Sequence, residues 1–324
     1  MTNVLITIDT EYSAGMVSRL GIDCREENFL RSISCKTATG SVGIEYQMDR
    51  FDQHGLKAVF FVDPMPALVW GIEAVADVVG PIVSRGHEVQ LHMHPEWLEY
   101  AGANNPLGER IGRNIGDFSF EDQCILLEKG RDILVSAGAP VPIAFRAGNY
   151  GANDNTLRAL SEIGISIDTS LCPGIANSEC GISLSAENDS PTFLNGTIEM
   201  PIHHIEASHG GKRHFQLTAL SAREILAACD FAHNAGLENV ILVSHSFELL
   251  SRDRSAINLV VKRRFEAVCQ KLGSRKGLLT RGFRDLGPII PGRSSDNAIL
   301  PHSPFRTLER IAEQTVSNFF FGRR

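Results

Sequence analysis

The sequence predicts an α/β fold of the (β/α) barrel type, and three observations carry that expectation. Seven short apolar runs, many with β-branched residues, read as buried strands of a parallel sheet. The stretches between them mostly show the apolar spacing of helices. After each run stands a polar or ionisable residue: Asp9, Asp63, His92, Arg146, Asp168, His203 and His245. A (β/α) barrel gathers the C-terminal ends of its strands around one site. An open doubly wound sheet also alternates strand and helix, but it does not easily bring seven strand ends to one point. No GxGxxG follows the first strand and no GxxxxGK[ST] occurs, so dinucleotide and P-loop readings have no support.

The first run, Val4 to Ile8, is continuously apolar and stops at Asp9, Thr10 and Glu11. Residues 12–40 are polar and carry Gly15, Gly21 and Gly40, which predicts a long loop with about one turn of helix, of the kind that tends to be functional. A helix from Ser41 stops near Gly55, and LKAVFFV ends at Asp63 and Pro64. Residues 67–85 are helical in spacing and stop at Gly86, after which EVQL delivers His92 and His94. The stretch from Glu96 to Asp117, rich in Gly and Asn, is expected to cover a site as a lid. Ser119 with Asp122 makes a capping box for a helix to Gly138, and PVPIAF ends at Arg146. Helix 154–164 leads to ISI and Asp168, and TIEMPI reaches His203 and His204. Ser221 with Glu224 caps a helix stopped by Gly236, VILVS ends at His245, and a helix from about Ser255 to Leu272 closes the series.

Composition excludes several function classes. The chain of 324 residues is 43% hydrophobic and 21% charged, enough for one large α/β domain with an appendage. A net charge of −7 argues against a nucleic-acid surface. The run from Met1 to the first strand leaves no room for a signal sequence, and no stretch of about 18 apolar residues exists. Seven cysteines form no CxxC pair and are odd in number, which fits free thiols in a reducing cytoplasm.

The chemistry gathers at GHEVQLHMHPEW. In an extended chain His92 and His94 project to the same face and can grip one metal ion, and imidazole suits zinc and its neighbours. Two acids, Asp9 and Glu11, stand where the first strand stops. Each such residue also has an ordinary use: acids cap the segment after a strand, Arg146 can serve a structural ion pair, and His245 can be a hydrogen-bonded core histidine.

In these motifs the chain resembles the polysaccharide deacetylase (NodB-homology) family, carbohydrate esterase family 4, from about Val4 to about Leu286. ITIDTE, KAVFFV, GHEVQLHMHP, FRAGNYG, ISIDTS and ILVSH are similar, in order, to the family's motifs. The resemblance implies a distorted (β/α)7-type barrel over residues 1–288; beyond it, Pro-, Gly- and Ser-rich composition and the helical spacing of Thr307 to Asn318 make 289–324 a linker and C-terminal helix. It implies a metal-dependent hydrolase removing an N-acyl group, acetyl or formyl, from an amino sugar. By resemblance Asp9 is the general base held ionised by Arg146, His245 is the acid oriented by Asp168, and the backbone N–H near Tyr150 helps stabilise the oxyanion. The family usually has two adjacent aspartates, the second a ligand, and a second histidine four residues after the first. Here Thr10 follows Asp9, and four residues after His92 comes Glu96. The ligand set is therefore read as Glu11, His92 and His94 around a divalent ion, Zn2+ by preference, with Asp9 as an alternative ligand and Asp63 and Glu96 as spares. His203 is read as touching substrate at the rim.

The absence of an export signal places the expected substrate in the cytoplasm: a nucleotide-linked or lipid-linked sugar, or a surface-glycan precursor such as that of an O-antigen. Two other readings stay open, a catalytically silent sugar-binding relative and an amidohydrolase acting on a non-sugar amide. The last residues, FFFGRR, set three phenylalanines beside two arginines, an arrangement that docks on a neighbour or lies weakly on a membrane surface.

Overall fold

The structure, a computed structural model, describes residues 1–185, 188–292 and 298–322. Nine strands make one curled sheet: β1 (Thr2–Thr10), β2 (Ala58–Val62), β3 (Glu88–Met93), β4 (Ala144–Ala147), β5 (Ile167–Asp168), β6 (Thr192–Leu194), β7 (Thr197–Glu199), β8 (Asn239–His245) and β9 (Leu278–Thr280). Their order is β8-β1-β2-β3-β4-β5-β7-β6, with β9 beside the start of β1, and every pairing is parallel except β6 with β7. All seven expected strands are present. The two additional ones are short: β6 is an edge strand, and β9 covers three residues of β1.

The sheet curls until its two ends are tied through the segment 215–217. The Phe215 N–H donates to the His203 carbonyl, the Val243 N–H to Phe215, and the Leu217 N–H to Val243, at 2.9, 2.9 and 3.0 Å. The result is a distorted barrel whose wall is completed by three residues instead of a full strand.

Alternation along the strands sorts residues between two layers. Leu5, Val59, Phe61, Ala144, Ile167, Met200, Ile241 and Phe283 pack together inside the barrel. Their neighbours Val4, Ile6, Ile8, Phe60, Val62, Leu91 and Phe145 face the surrounding helices. Each large side chain so buried contributes roughly 1.5–3 kcal/mol. The same period carries Leu5, Thr7 and Asp9 up one inner face of β1, from apolar floor to charged mouth.

The helical layer comprises α1 (Ala14–Leu20), α2 (Arg25–Ser32), α3 (Ile44–Gln53), α4 (Ile72–Ser84), α5 (Phe120–Ser136), α6 (Asp154–Glu162), α7 (Ala222–Asn234), α8 (Leu259–Gly273) and α9 (Pro304–Phe321). Residues 12–40 are thus not the loop expected from their glycines. Met16 and Val17 of α1 and Asn28 and Ser32 of α2 are buried, and a small hairpin, Lys36–Thr37 with Gly40–Ser41, follows. Packing of these few inward positions outweighs the polar composition. Both expected caps form: Ser119 accepts from the Asp122 N–H, and Ser221 and Glu224 bond reciprocally.

Helix α9 docks with its polar face. Arg264 of α8 pairs with Glu313 at 2.6 Å, Asn258 donates to Ser317 at 2.9 Å, and Arg310 meets Glu224 at 3.5 Å. Phe305, Leu308, Phe319 and Phe320 point to solvent. The linker expected from residue 289 falls partly on 293–297, and the basic end on Arg323 and Arg324; both lie outside the described residues. No helix among the described residues is long and apolar enough to cross a membrane.

Candidate active site

Strand register assembles the site. Asp9 on β1 lies opposite His245 on β8, and His92 on β3 opposite Arg146 on β4. A cavity of about 130 Å³ at the C-terminal mouth of the barrel is lined by Asp9, Glu11, His92, His94, Ala147, Asn149, Tyr150 and His245.

Glu11, His92 and His94 offer ligand atoms that all lie within 4.8 Å of one another. The Glu11 Oε2 atom is 2.5 Å from His94 Nε2 and 3.3 Å from His92 Nε2. The opposite ring nitrogens are engaged elsewhere: His92 Nδ1 lies 2.8 Å from the Arg146 carbonyl, and His94 Nδ1 lies 3.1 Å from Glu96 Oε2. With a metal ion bound, acceptors at both Nδ1 atoms would keep the protons there and turn both Nε2 lone pairs to the ion beside Glu11. Electrostatics point the same way. Burial alone would raise the Glu11 carboxyl, yet the adjacent imidazoles pull it well below its usual range. Burial would lower His94, yet Glu11, Glu96 and Asp63 push it well above its usual value. The cluster favours positive charge, and two imidazoles with one carboxylate suit zinc.

Asp63 takes no place in that cluster. Its Oδ1 accepts from the N–H groups of Met65 (3.1 Å) and His94 (3.4 Å), while burial pushes the carboxyl up to about 6. Glu96, the other spare, orients His94.

Gly148 is the floor under His94: a Cβ there would come within 2.7 Å of the ring atoms Cε1 and Nδ1. Gly148→Ala should therefore tilt the ring and weaken zinc about 10- to 100-fold, the usual cost of disturbing a ligand's support. Chelator competition would measure it. Unchanged affinity would remove His94 from the ligand set.

Beside the cluster runs a chain of charge. Arg146 is fully buried in the barrel, its guanidinium 4.4 Å above the Phe61 ring, and Nη1 donates to Asp9 Oδ1 at 2.6 Å and to Thr7 Oγ1 at 3.0 Å. His245 Nε2 stands 3.9 Å from Asp9 Oδ2. Its Nδ1 donates to Glu248 Oε1 at 2.9 Å. Glu248 is itself fixed by Gln216, by Thr218 (3.3 Å) and by Ser244 (3.1 Å). Burial would lower His245, but the Glu248 carboxylate, with Asp9 and Glu11 behind it, raises it to about 9.

The expected partner of His245 is thus corrected from Asp168 to Glu248. Asp168 lies on β5, its two oxygens accept from the Ser170 hydroxyl (2.8 Å) and N–H (3.1 Å), and its register partner is Glu199. Burial raises both carboxyls, and Asp168 drives Glu199 further up, so the pair holds a proton. Ser170 in turn accepts from the Ala147 N–H at 2.9 Å, which makes the Asp168 network a brace for the end of β4. Glu248 escapes a reading by periodicity because it follows β8 in a turn; its spacing of three from a strand-end histidine is the available signal.

His203 is also corrected. The strand expected to run to Ile202 stops at Glu199, ahead of Pro201, which has no N–H for a ladder. The His203 ring packs edge-on against Phe215 and lines a cavity of about 340 Å³ with Leu237, Asn239 and Ile289, at the N-terminal end of β8 and away from the catalytic mouth. Burial drops its pKa to about 3.

Tyr150 does line the site. It and Asn149 both have left-handed backbones (φ 58 and 55), a strained pair of the kind found at functional turns. The 96–118 stretch, expected as a lid, is tied to that turn. Trp97 and Ile115 are fully buried, the Gly116 N–H donates to the Gly151 carbonyl at 2.9 Å, and Asn149 Nδ2 donates to Asn114 at 3.2 Å.

Comparison with solved structures agrees with this architecture. A Mycobacterium smegmatis protein described as a polysaccharide deacetylase superposes with TM-score 0.52 at 14% identity, covering 90% of this chain and 94% of that one. The chain has the polysaccharide-deacetylase fold. A family 4 carbohydrate esterase from Streptomyces lividans matches at TM-score 0.41 and 11% identity over 93% of this chain and 98% of its own. A 4-alpha-glucanotransferase from Thermococcus litoralis matches at 0.49 and 11%, over 88% of this chain and 40% of its own. No protein-family sequence profile and no curated protein matches the chain.

Proposed function

We propose that this chain is a member of the polysaccharide deacetylase family that hydrolyses the N-acyl group, acetyl or formyl, of an amino sugar in a glycan, nucleotide-sugar or surface-polysaccharide precursor. One observation carries the reading: a buried carboxylate, Asp9, and a histidine held protonated, His245, face each other 3.9 Å apart beside a Glu–His–His cluster. A sugar-binding module has no use for a matched base and acid.

Glu11, His92 and His94 would hold a divalent ion, zinc by preference, which supplies Lewis-acid polarisation when bound. Asp9, anchored by Arg146, takes a proton from the attacking water as its oxygen bonds to the acyl carbon. The N–H near Tyr150 would donate to the charge that gathers on the carbonyl oxygen. His245 passes its Nε2 proton to the amide nitrogen, the C–N bond breaks, and carboxylate and free amine leave. Seven free cysteines among the described residues support the cytoplasm as the place of action.

A screen of N-acetyl and N-formyl amino sugars and sugar nucleotides, recording released acid, tests the reading. Release that depends on added zinc is expected; no release from any substrate would overturn it.

The raised His245 gives a pH prediction. Turnover needs this histidine protonated, so kcat/KM should fall as pH rises through about 9. Glu248→Gln should move that limb down toward the ordinary histidine value of about 6.5. Because the folded pKa exceeds the unfolded one, the pair's contribution to stability is complete below about 6.5 and is lost as pH climbs through about 9. A limb that stays near 9 in Glu248→Gln would mean another group titrates.

A further inference from the structure

The mouth of the site is one end of a longer groove. Its cavity shares Glu11, His94 and Asn149 with a second, of about 240 Å³, walled by Tyr12, Trp97 and Arg254. That one shares Ser13 and Arg254 with a third, of about 380 Å³, lined by Arg19, Arg31, Arg252 and Arg254 together with Glu27 and Asp253. Four arginines converge there in a chain whose net charge is −7. Of the two acids, Glu27 is occupied by Arg31, and Asp253 by the hydroxyls of Ser251 (2.6 Å) and Ser255 (2.8 Å).

Arg254 joins the two outer cavities and is fixed in place. Its backbone is left-handed at φ 57, its guanidinium lies 3.8 Å from the centroid of Phe247, and Nη1 donates to Ser32 Oγ at 2.8 Å. The Phe247 ring is in turn 5.3 Å from that of His245. A preorganised guanidinium fork matches the oxygens of a phosphate, and four guanidiniums against two acids leave this pocket with an excess of positive charge that a neutral glycan would not engage.

We propose that Arg19, Arg31, Arg252 and Arg254 form a phosphate-binding subsite, so that the acylated sugar is presented to the catalytic mouth with a phosphoryl group attached. The inference rests on the deacetylase reading for the sugar and on the groove for the phosphate. The phosphate has two sources, a soluble sugar phosphate or nucleoside diphosphate, and a lipid phosphate. The lipid source has its own support: the Arg252 N–H donates to the Phe321 carbonyl at 3.0 Å, which ties the helix end that carries the exposed Phe319 and Phe320 to the segment bearing Arg252.

Arg19 and Arg252 are exposed, and Arg19→Gln/Arg252→Gln removes two charges without entering the core. Calorimetric titration of the zinc-loaded full chain with inorganic pyrophosphate should show saturable binding that weakens at least about tenfold in the double variant, the loss of one charge-assisted contact or more. No binding overturns the proposal, and so does equal binding by the variant, which would place the anion at the metal. With the acylated sugar supplied free, as its 1-phosphate, as a nucleoside-diphosphate sugar and on a polyprenyl phosphate in vesicles, kcat/KM should favour a phosphorylated form by about tenfold or more. That preference should shrink toward one in the variant. The soluble and vesicle arms identify the source. A preference that survives in the variant contradicts the subsite. If no form releases acid, the deacetylase reading fails, and the pyrophosphate titration still decides the subsite.

Discussion

His245→Ala should leave the metal cluster loaded and lower turnover by about 10²- to 10⁴-fold, the contribution of a positioned acid. The geometry separates the two jobs. His245 Nδ1 is held by Glu248 and its Nε2 faces Asp9, while the clustered ligand atoms belong to Glu11, His92 and His94. Glu11→Ala and His92→Ala should therefore empty the site and bring turnover to background, because each deletes one of three ligands. Elemental analysis of bound zinc, made in parallel with acyl release, distinguishes the outcomes. If His245→Ala strips the metal, His245 is a ligand and the acid lies elsewhere; full occupancy in His92→Ala would dissolve the ligand assignment.

What the sequence disclosed and what it hid follow from where each residue sits. Groups on a strand, or one extended residue past its end, were legible because alternation is rigid: His92 and His94 had to share a face, and the runs ending at Asp9, Arg146 and His245 were unmistakably buried. Those three do meet at the mouth. Groups beyond a strand end were not legible in this way. Glu248 reaches His245 through a turn whose path no periodicity encodes, and His203 was carried off by the early stop at Glu199. Asp168 had the right motif around it, yet its oxygens were taken by Ser170, a contact set two residues away that outcompetes any distant histidine. The helices of 12–40 were hidden because only a few inward positions hold them.

The second large effect concerns the Asp9–Arg146 pair, and it falls on stability as well as turnover. Arg146 is 0% exposed and Asp9 3%, with 2.6 Å between their charged atoms. Removing one partner from a buried pair strands the other charge in a medium that solvates it poorly, at a cost of about 3–5 kcal/mol. Asp9→Ala and Arg146→Met should each show that loss in urea unfolding, and each should abolish turnover. Replacing both groups by apolar ones strands nothing, and such replacements are often neutral or stabilising. Asp9→Leu/Arg146→Met should accordingly be more stable than either single variant and still inactive. This combination separates the two roles: a pair kept for folding would leave the double variant clearly less stable than the wild type, whereas a pair kept for chemistry gives a sound fold with no base. Single variants that each cost under about 1 kcal/mol would show that water reaches these charges, and the dry, anchored base on which the proposed hydrolysis depends would have to be abandoned.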